Sequence, residues 1–70
     1  MTEIRAPITG SVWKVLVGDG DAVSAEEVVA ILESMKLEIP VEAESAGTIT
    51  LVLVSEGDAV TEGDAMFELE

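Results

Sequence analysis

Short apolar runs separated by turn residues organise this chain. Ser11–Val17 and Thr48–Val54 are rich in Val, Ile, Leu and Thr, and each is followed by a Gly-Asp pair. Val28–Glu33 and Ala65–Glu70 are similar runs bounded by acidic or glycine turns. β-Branched residues in runs of this length, punctuated by Gly and Asp, predict strands. The positions also repeat. Gly10–Glu33 lies on Gly47–Glu70 without a gap, so that GSVWKVLVGDGDAV faces GTITLVLVSEGDAV. Identical pairs include Val15/Val52, Leu16/Leu53, Gly20/Gly57, Asp21/Asp58 and Leu32/Leu69, and Ala6/Ala43 and Ile4/Val41 extend the match backwards. The chain therefore reads as two copies, about 4–33 and 41–70, of a four-stranded unit. The strands are expected near 2–6, 11–17, 22–24 and 28–33 and at the equivalent places of the second copy. Eight short strands with frequent turns predict an all-β flattened antiparallel barrel or sandwich of two quasi-symmetric halves in one domain over 1–70. A helix over Ser24–Glu33 suits its Ala, Glu and Leu, but Gly63 at the matching place of the second copy argues against it.

Comparing the copies assigns faces. Val28/Ala65, Ala30/Phe67 and Leu32/Leu69 are apolar in both copies and alternate, so they are expected to point inward. Ile31/Glu68 tolerates charge, which places it on the wet face. For 11–17 the face stays open, because one parity carries Lys14/Leu51 and the other Trp13/Thr50. Of the two aromatics, Phe67 is assigned to the core and Trp13 to a half-exposed position.

Composition narrows the function. Acids outnumber bases 15 to 3, for a net charge of −12, which opposes binding to nucleic acids and to anionic membranes. Hydrophobic residues nevertheless make up 49%, enough for a folded core rather than a disordered acidic tail. The chain has no Cys, His or Tyr, so it lacks thiolate nucleophiles, Cys-based zinc sites, the commonest metal ligand and the usual general base poised near neutral pH. The Asp19-Gly20-Asp21 stretch invites a calcium reading, but Val23 stands where a third ligand is needed. The longest aliphatic runs are far too short to span a membrane, and the opening MTEIRAPITG has no apolar signal core. A cytoplasmic, monomeric, non-enzymatic domain is the expectation.

One segment, 34–40, has no twin. It joins the halves, and if its flanks pair as strands then Met35-Lys36 forms the tip of a hairpin. That tip has none of the Gly, Asn or Asp that tight hairpins favour, so side-chain identity is expected to matter there. Lysine occurs only at positions 14 and 36.

The run ILESMKLEIPVEA resembles the attachment hairpin of the biotinyl/lipoyl carrier domain family. Glu33, Ser34, Met35 and Lys36 match its biotinyl members, in which the modified lysine sits in a Met-Lys-Met core. Leu37 departs from that core, keeping the volume and apolarity of methionine but not its thioether. The glycine of Ala46-Gly47-Thr48-Ile49 and the Glu56-Gly57-Asp58-Ala59-Val60 turn are also features of the family. The resemblance implies a flattened eight-stranded barrel with the lysine hairpin at one end and both termini at the other. The gapless repeat leaves no room for the protruding thumb that some members carry.

It further implies a biotin carboxyl carrier. Lys36 would be biotinylated by a biotin protein ligase, with Met35 and Leu37 read as flanking recognition residues. The arm would then swing carboxybiotin between the biotin carboxylase and carboxyltransferase sites of a carboxylase. Glu33 and Glu38 could guide the ligase by charge, although a solvated face also accounts for them. A lipoyl carrier, with lipoate on the same lysine, and an unmodified structural barrel are the alternatives.

Overall fold

A computed structural model describes residues 2–70. It contains eight strands and no helix: β1 Thr2–Arg5, β2 Gly10–Val15, β3 Ala22–Val23, β4 Val28–Ser34, β5 Leu37–Glu42, β6 Gly47–Val52, β7 Ala59–Val60 and β8 Ala65–Leu69. They form two four-stranded antiparallel sheets, ordered β1-β8-β6-β3 and β5-β4-β2-β7. Each sheet takes two strands from each repeat. The halves are interlaced, with β3 of the first copy pairing with β6 and β7 of the second pairing with β2.

The core obeys the repeat throughout. Its fourteen residues are seven twin pairs: Ile4/Val41, Ala6/Ala43, Val12/Ile49, Val23/Val60, Val29/Met66, Ala30/Phe67 and Leu32/Leu69. No polar or charged residue is buried among the described residues. A small all-aliphatic core with one Phe and no staple must rely on complete burial, and Phe67, Leu32 and Ile49 are fully shielded from solvent.

Two twin sets of bulges correct the strict alternation expected from sequence. Between β4 and β5 the register slips from Val28↔Glu42 to Ala30↔Val41, and between β1 and β8 it slips from Ile4↔Phe67 to Arg5↔Ala65. The extra residues, Val29 and Met66, turn into the core, and Val28 and Ala65 are left only half-buried. A bulge adds a residue to one strand and breaks the period of two. The second set answers the open question about 11–17. Register slips between Val12 and Lys14, and between Ile49 and Leu51. Val12 faces inward, Trp13 and Lys14 both face out, and Val15 returns to the core side.

The acidic turns are backbone devices. Asp21 Oδ2 accepts from Gly18 N–H at 2.8 Å, and its twin Asp58 accepts from Ser55 N–H at 2.8 Å. Gly20 and Gly57 supply the positive φ these turns need, at 89° and 96°. Asp19 Oδ1 accepts from Val52 N–H at 3.0 Å, and Glu56 Oε2 accepts from Val15 N–H at 3.1 Å. Each copy thus uses a turn carboxylate to satisfy an amide at the end of the other copy's bulged strand.

The two copies treat one turn differently. Gly63 has φ 92°, while Glu26 at the twin place is held at φ 70°. A left-handed L-residue costs about 1–2 kcal/mol, partly offset by the ~0.5–1 kcal/mol of chain entropy that glycine forfeits. Glu26→Gly is therefore expected to stabilise the fold by about 0.5–1 kcal/mol, read as a rise of a few degrees in Tm. A fall in Tm would contradict this account of the turn.

Candidate functional site

The segment without a twin is a two-residue hairpin turn. β4 and β5 pair from Val28↔Glu42 to Ser34↔Leu37, and Met35-Lys36 closes the loop. Both loop residues have positive φ, 53° for Met35 and 66° for Lys36. This is the turn geometry in which Asn-Gly is favoured, because it matches the twist of the flanking strands. Two non-glycine residues in the left-handed region cost about 1–2 kcal/mol each relative to a glycine-compatible turn. Strain of this kind persists where the surrounding structure over-determines it, and it gathers at functional positions.

The surrounding structure is a stiff ladder. β2 pairs with β4 as far as Ser11↔Glu33 and begins at Gly10 beside Ser34, so the Met35-Lys36 turn projects beyond the neighbouring strand. Gly10 lies against the base of this projection. A Cβ at Gly10 would come within 2.6 Å of the Glu33 carbonyl oxygen and 3.3 Å of Ser34 Cβ. Gly47 makes the twin approach to Glu70. The identity of Gly10 and Gly47 in the two copies was the sequence signal for this close packing, which sequence reasoning did not draw out. Gly10→Ala is expected to cost about 1–3 kcal/mol, because backbone must move to admit the methyl group. Chemical denaturation checks this, and an unchanged midpoint would show that the strands separate freely at the hairpin base.

The structure brings together the three residues singled out from sequence. Lys36 is exposed at the apex, Met35 is 92% exposed and Leu37 is 63% exposed. Leu37 lies on the face of β5 that carries half-buried Ile39, one step past the end of the core. The tip thus presents a primary amine between two solvent-facing apolar side chains. Exposed large apolar groups are costly to leave wet, so such a pair suits recognition by another molecule. Directly below the tip, Glu33 and Glu38 face each other across the strands, both exposed. Like charges in register are unfavourable and gain nothing for the hairpin itself.

The other cations are placed differently. Arg5 pairs with Glu3 and donates from Nη1 to the Gly63 carbonyl at 2.7 Å. Lys14 lies within a strand, its Nζ 5.5 Å from the centre of the Trp13 ring. A surface groove of about 530 Å³ opens where Ala6 and Pro7 meet Ala43 and Glu44. It is lined by Arg5, Glu26 and Glu42 and by no hydroxyl, thiol or imidazole. The Lys36 amine, by contrast, stands exposed at the hairpin apex, away from that groove.

Comparison with known proteins identifies the family of this fold. The family model described as "Biotin-requiring enzyme" matches residues 2–69. The Biotin/lipoyl attachment protein of Bacillus subtilis is 48% identical over 66 residues, covering 94% of this chain and 90% of that protein. The Biotinylated protein TB7.3 homolog of Mycobacterium leprae is 47% identical over 62 residues, covering 89% of this chain and 87% of that protein. Among solved structures, the urea carboxylase of Kluyveromyces lactis superposes with a TM-score of 0.91 at 33% identity. That match covers 99% of this chain and 6% of the enzyme, so the whole domain corresponds to one small part of a much longer protein. An eight-stranded interlaced barrel with a lysine-tipped hairpin, matched over nearly its full length, belongs to the biotinyl/lipoyl attachment family.

Proposed function

We propose that this chain is a biotin carboxyl carrier domain and that Lys36 is its attachment residue. The observation that carries the reading is the Met35-Lys36 turn, an exposed amine held at the apex of a projecting hairpin at a cost in backbone strain. The domain itself offers the amine and its placement, with no general base beside it. A biotin protein ligase supplies the activated acyl group. The Lys36 nitrogen attacks the acyl carbonyl of the biotinyl adenylate, the new C–N amide bond forms, the C–O bond to phosphate breaks, and AMP leaves while the amine proton passes to solvent. Biotin, once attached, supplies a ureido nitrogen able to carry a carboxyl group between enzyme active sites.

The remaining residues follow from that role. Met35 and Leu37 are positioned for reading by the ligase. A biotin carboxylase and a carboxyltransferase are the expected partners of the loaded domain. Tethering the group to a long side chain on a stiff hairpin raises its effective concentration at each partner without tight binding. The strong negative charge favours brief encounters with basic partner surfaces over self-association, in keeping with a monomer.

A second reading is a lipoyl carrier, with lipoate on the same lysine. It is favoured by the name of the Bacillus subtilis relative, which admits either group. The test is intact mass after co-expression with a biotin protein ligase and, separately, with a lipoate ligase. A biotinyl mass increase supports the first reading. A lipoyl increase alone moves the domain to acyl transfer, and no increase with either active ligase rejects both.

A further inference from the structure

The pseudo-symmetry is broken on the outer face of the sheet that bears the tip. In the bulge of β2, Trp13 and Lys14 point outward beside Ile31 of β4, which in turn lies opposite Pro40 of β5. The other sheet repeats this arrangement in register: Thr50 and Leu51 in the bulge of β6, then Glu68 of β8, then Glu3 of β1. Three apolar side chains on one face thus stand where Thr50, Glu68 and Glu3 stand on its twin. The fold itself makes no demand for them, because the same backbone on the opposite sheet accepts Thr50, Glu68 and Glu3 at these places. Leu16 and Leu53 are twins, both exposed, and mark no difference between the faces.

We infer that Trp13, Ile31 and Pro40 form a docking face for the protein that loads Lys36, an inference that rests on the carrier reading above. Three observations select this occupant. First, the face runs toward the tip, since Glu33 and Glu38, two residues further along the same hairpin and two short of Met35-Lys36, share the outward direction of Ile31 and Pro40. A protein holding Lys36 in its active site therefore overhangs this sheet. Second, Trp13 is 42% exposed, a large aromatic of the kind that anchors binding energy in an apolar socket. Third, the charges around it set the partner's chemistry. Glu33, Glu38 and Glu42 edge the face along the hairpin, with Lys14 on the side of Trp13. The complementary surface is an apolar pocket flanked by basic side chains, as a ligase that receives an acidic domain would carry.

The repeat supplies the variant that tests this. Trp13→Thr, Ile31→Glu and Pro40→Glu together give the tip-bearing sheet the outer row that its twin already uses, so the fold is expected to keep its Tm. Wild-type domain is first shown to be acylated by a biotin protein ligase; if it is not, the carrier reading itself fails. With that established, the triple variant is expected to raise the ligase KM for the domain by about tenfold or more with kcat within twofold. Two added carboxylates strengthen attraction to a basic surface, so such a loss reports the apolar contact rather than charge. Leu51→Ala on the twin face serves as the control and is expected to leave KM unchanged. A Lys36→Ala domain should compete with wild type for the ligase, and the same domain carrying the triple substitution should not. Unchanged KM in a folded triple variant, or equal competition by both Lys36→Ala domains, overturns the proposal.

Discussion

Lys36→Arg protein co-expressed with a biotin protein ligase is expected to carry no added acyl group, while wild-type protein gains one. Arginine keeps the positive charge and nearly the length of lysine, and it occupies the same exposed apex. What it lacks is a nitrogen that can be deprotonated and attack, because the guanidinium stays charged at any accessible pH. The loss should therefore be complete rather than partial, and Tm should not change, since Lys36 makes no salt bridge among the described residues. Lys14 is an internal control in the same molecule. It sits in a strand beside Trp13, with Lys14↔Ile31 paired in the sheet, and lacks the projecting geometry of the tip. An acyl group in the Lys36→Arg protein that maps to Lys14 would show that exposure of an amine, not its place on the hairpin, decides acceptance.

The second large effect lies in the core. Phe67 is fully buried and is the largest of the shielded side chains, whereas its twin is Ala30. Phe67→Ala leaves two alanines where the core has one large and one small residue, and neither half has another side chain of comparable size to fill the gap. Truncations of this kind cost about 3–5 kcal/mol. A chain of this length has a total stability of about 4–10 kcal/mol, so one substitution removes a third or more of it. Tm should fall by about 12 °C or more, with each kcal/mol worth about 4–8 °C in so small a domain. Thermal unfolding followed by circular dichroism measures this directly. A fall of only a few degrees would mean that the barrel collapses around the cavity.

Much of this architecture was legible because the chain describes itself twice. The pairing of Val12 with Ile49 and of Leu32 with Leu69 in the alignment marks both strands and core, and the one segment without a twin marks the hairpin. The bulges escaped notice for a physical reason. Val29 and Met66 turn inward because the partner strands β5 and β1 pair with one residue fewer than β4 and β8 offer; the alternation within β4 or β8 alone does not record this. The same holds for Trp13 and Lys14, whose shared outward direction depends on Ile31 across the ladder. At the tip, the absence of Gly, Asn and Asp signalled something unusual, but the left-handed backbone at both Met35 and Lys36 emerges only when the Ser34↔Leu37 pair closes the turn. The docking face needed both kinds of information: which residues differ between copies, and which of them the registers place side by side.

The interlaced sheets carry a consequence for stoichiometry. Two repeats that trade strands β3 and β7 have the form of a strand-exchanged dimer fused into one polypeptide. Such a dimer has two equivalent apices. Here one is closed by Met35-Lys36, and at the other Thr2 and Leu69 lie paired without a connecting turn. Closing one pole with a turn has thus made the two ends of a symmetric body chemically distinct, and among the described residues a single hairpin tip carries a primary amine.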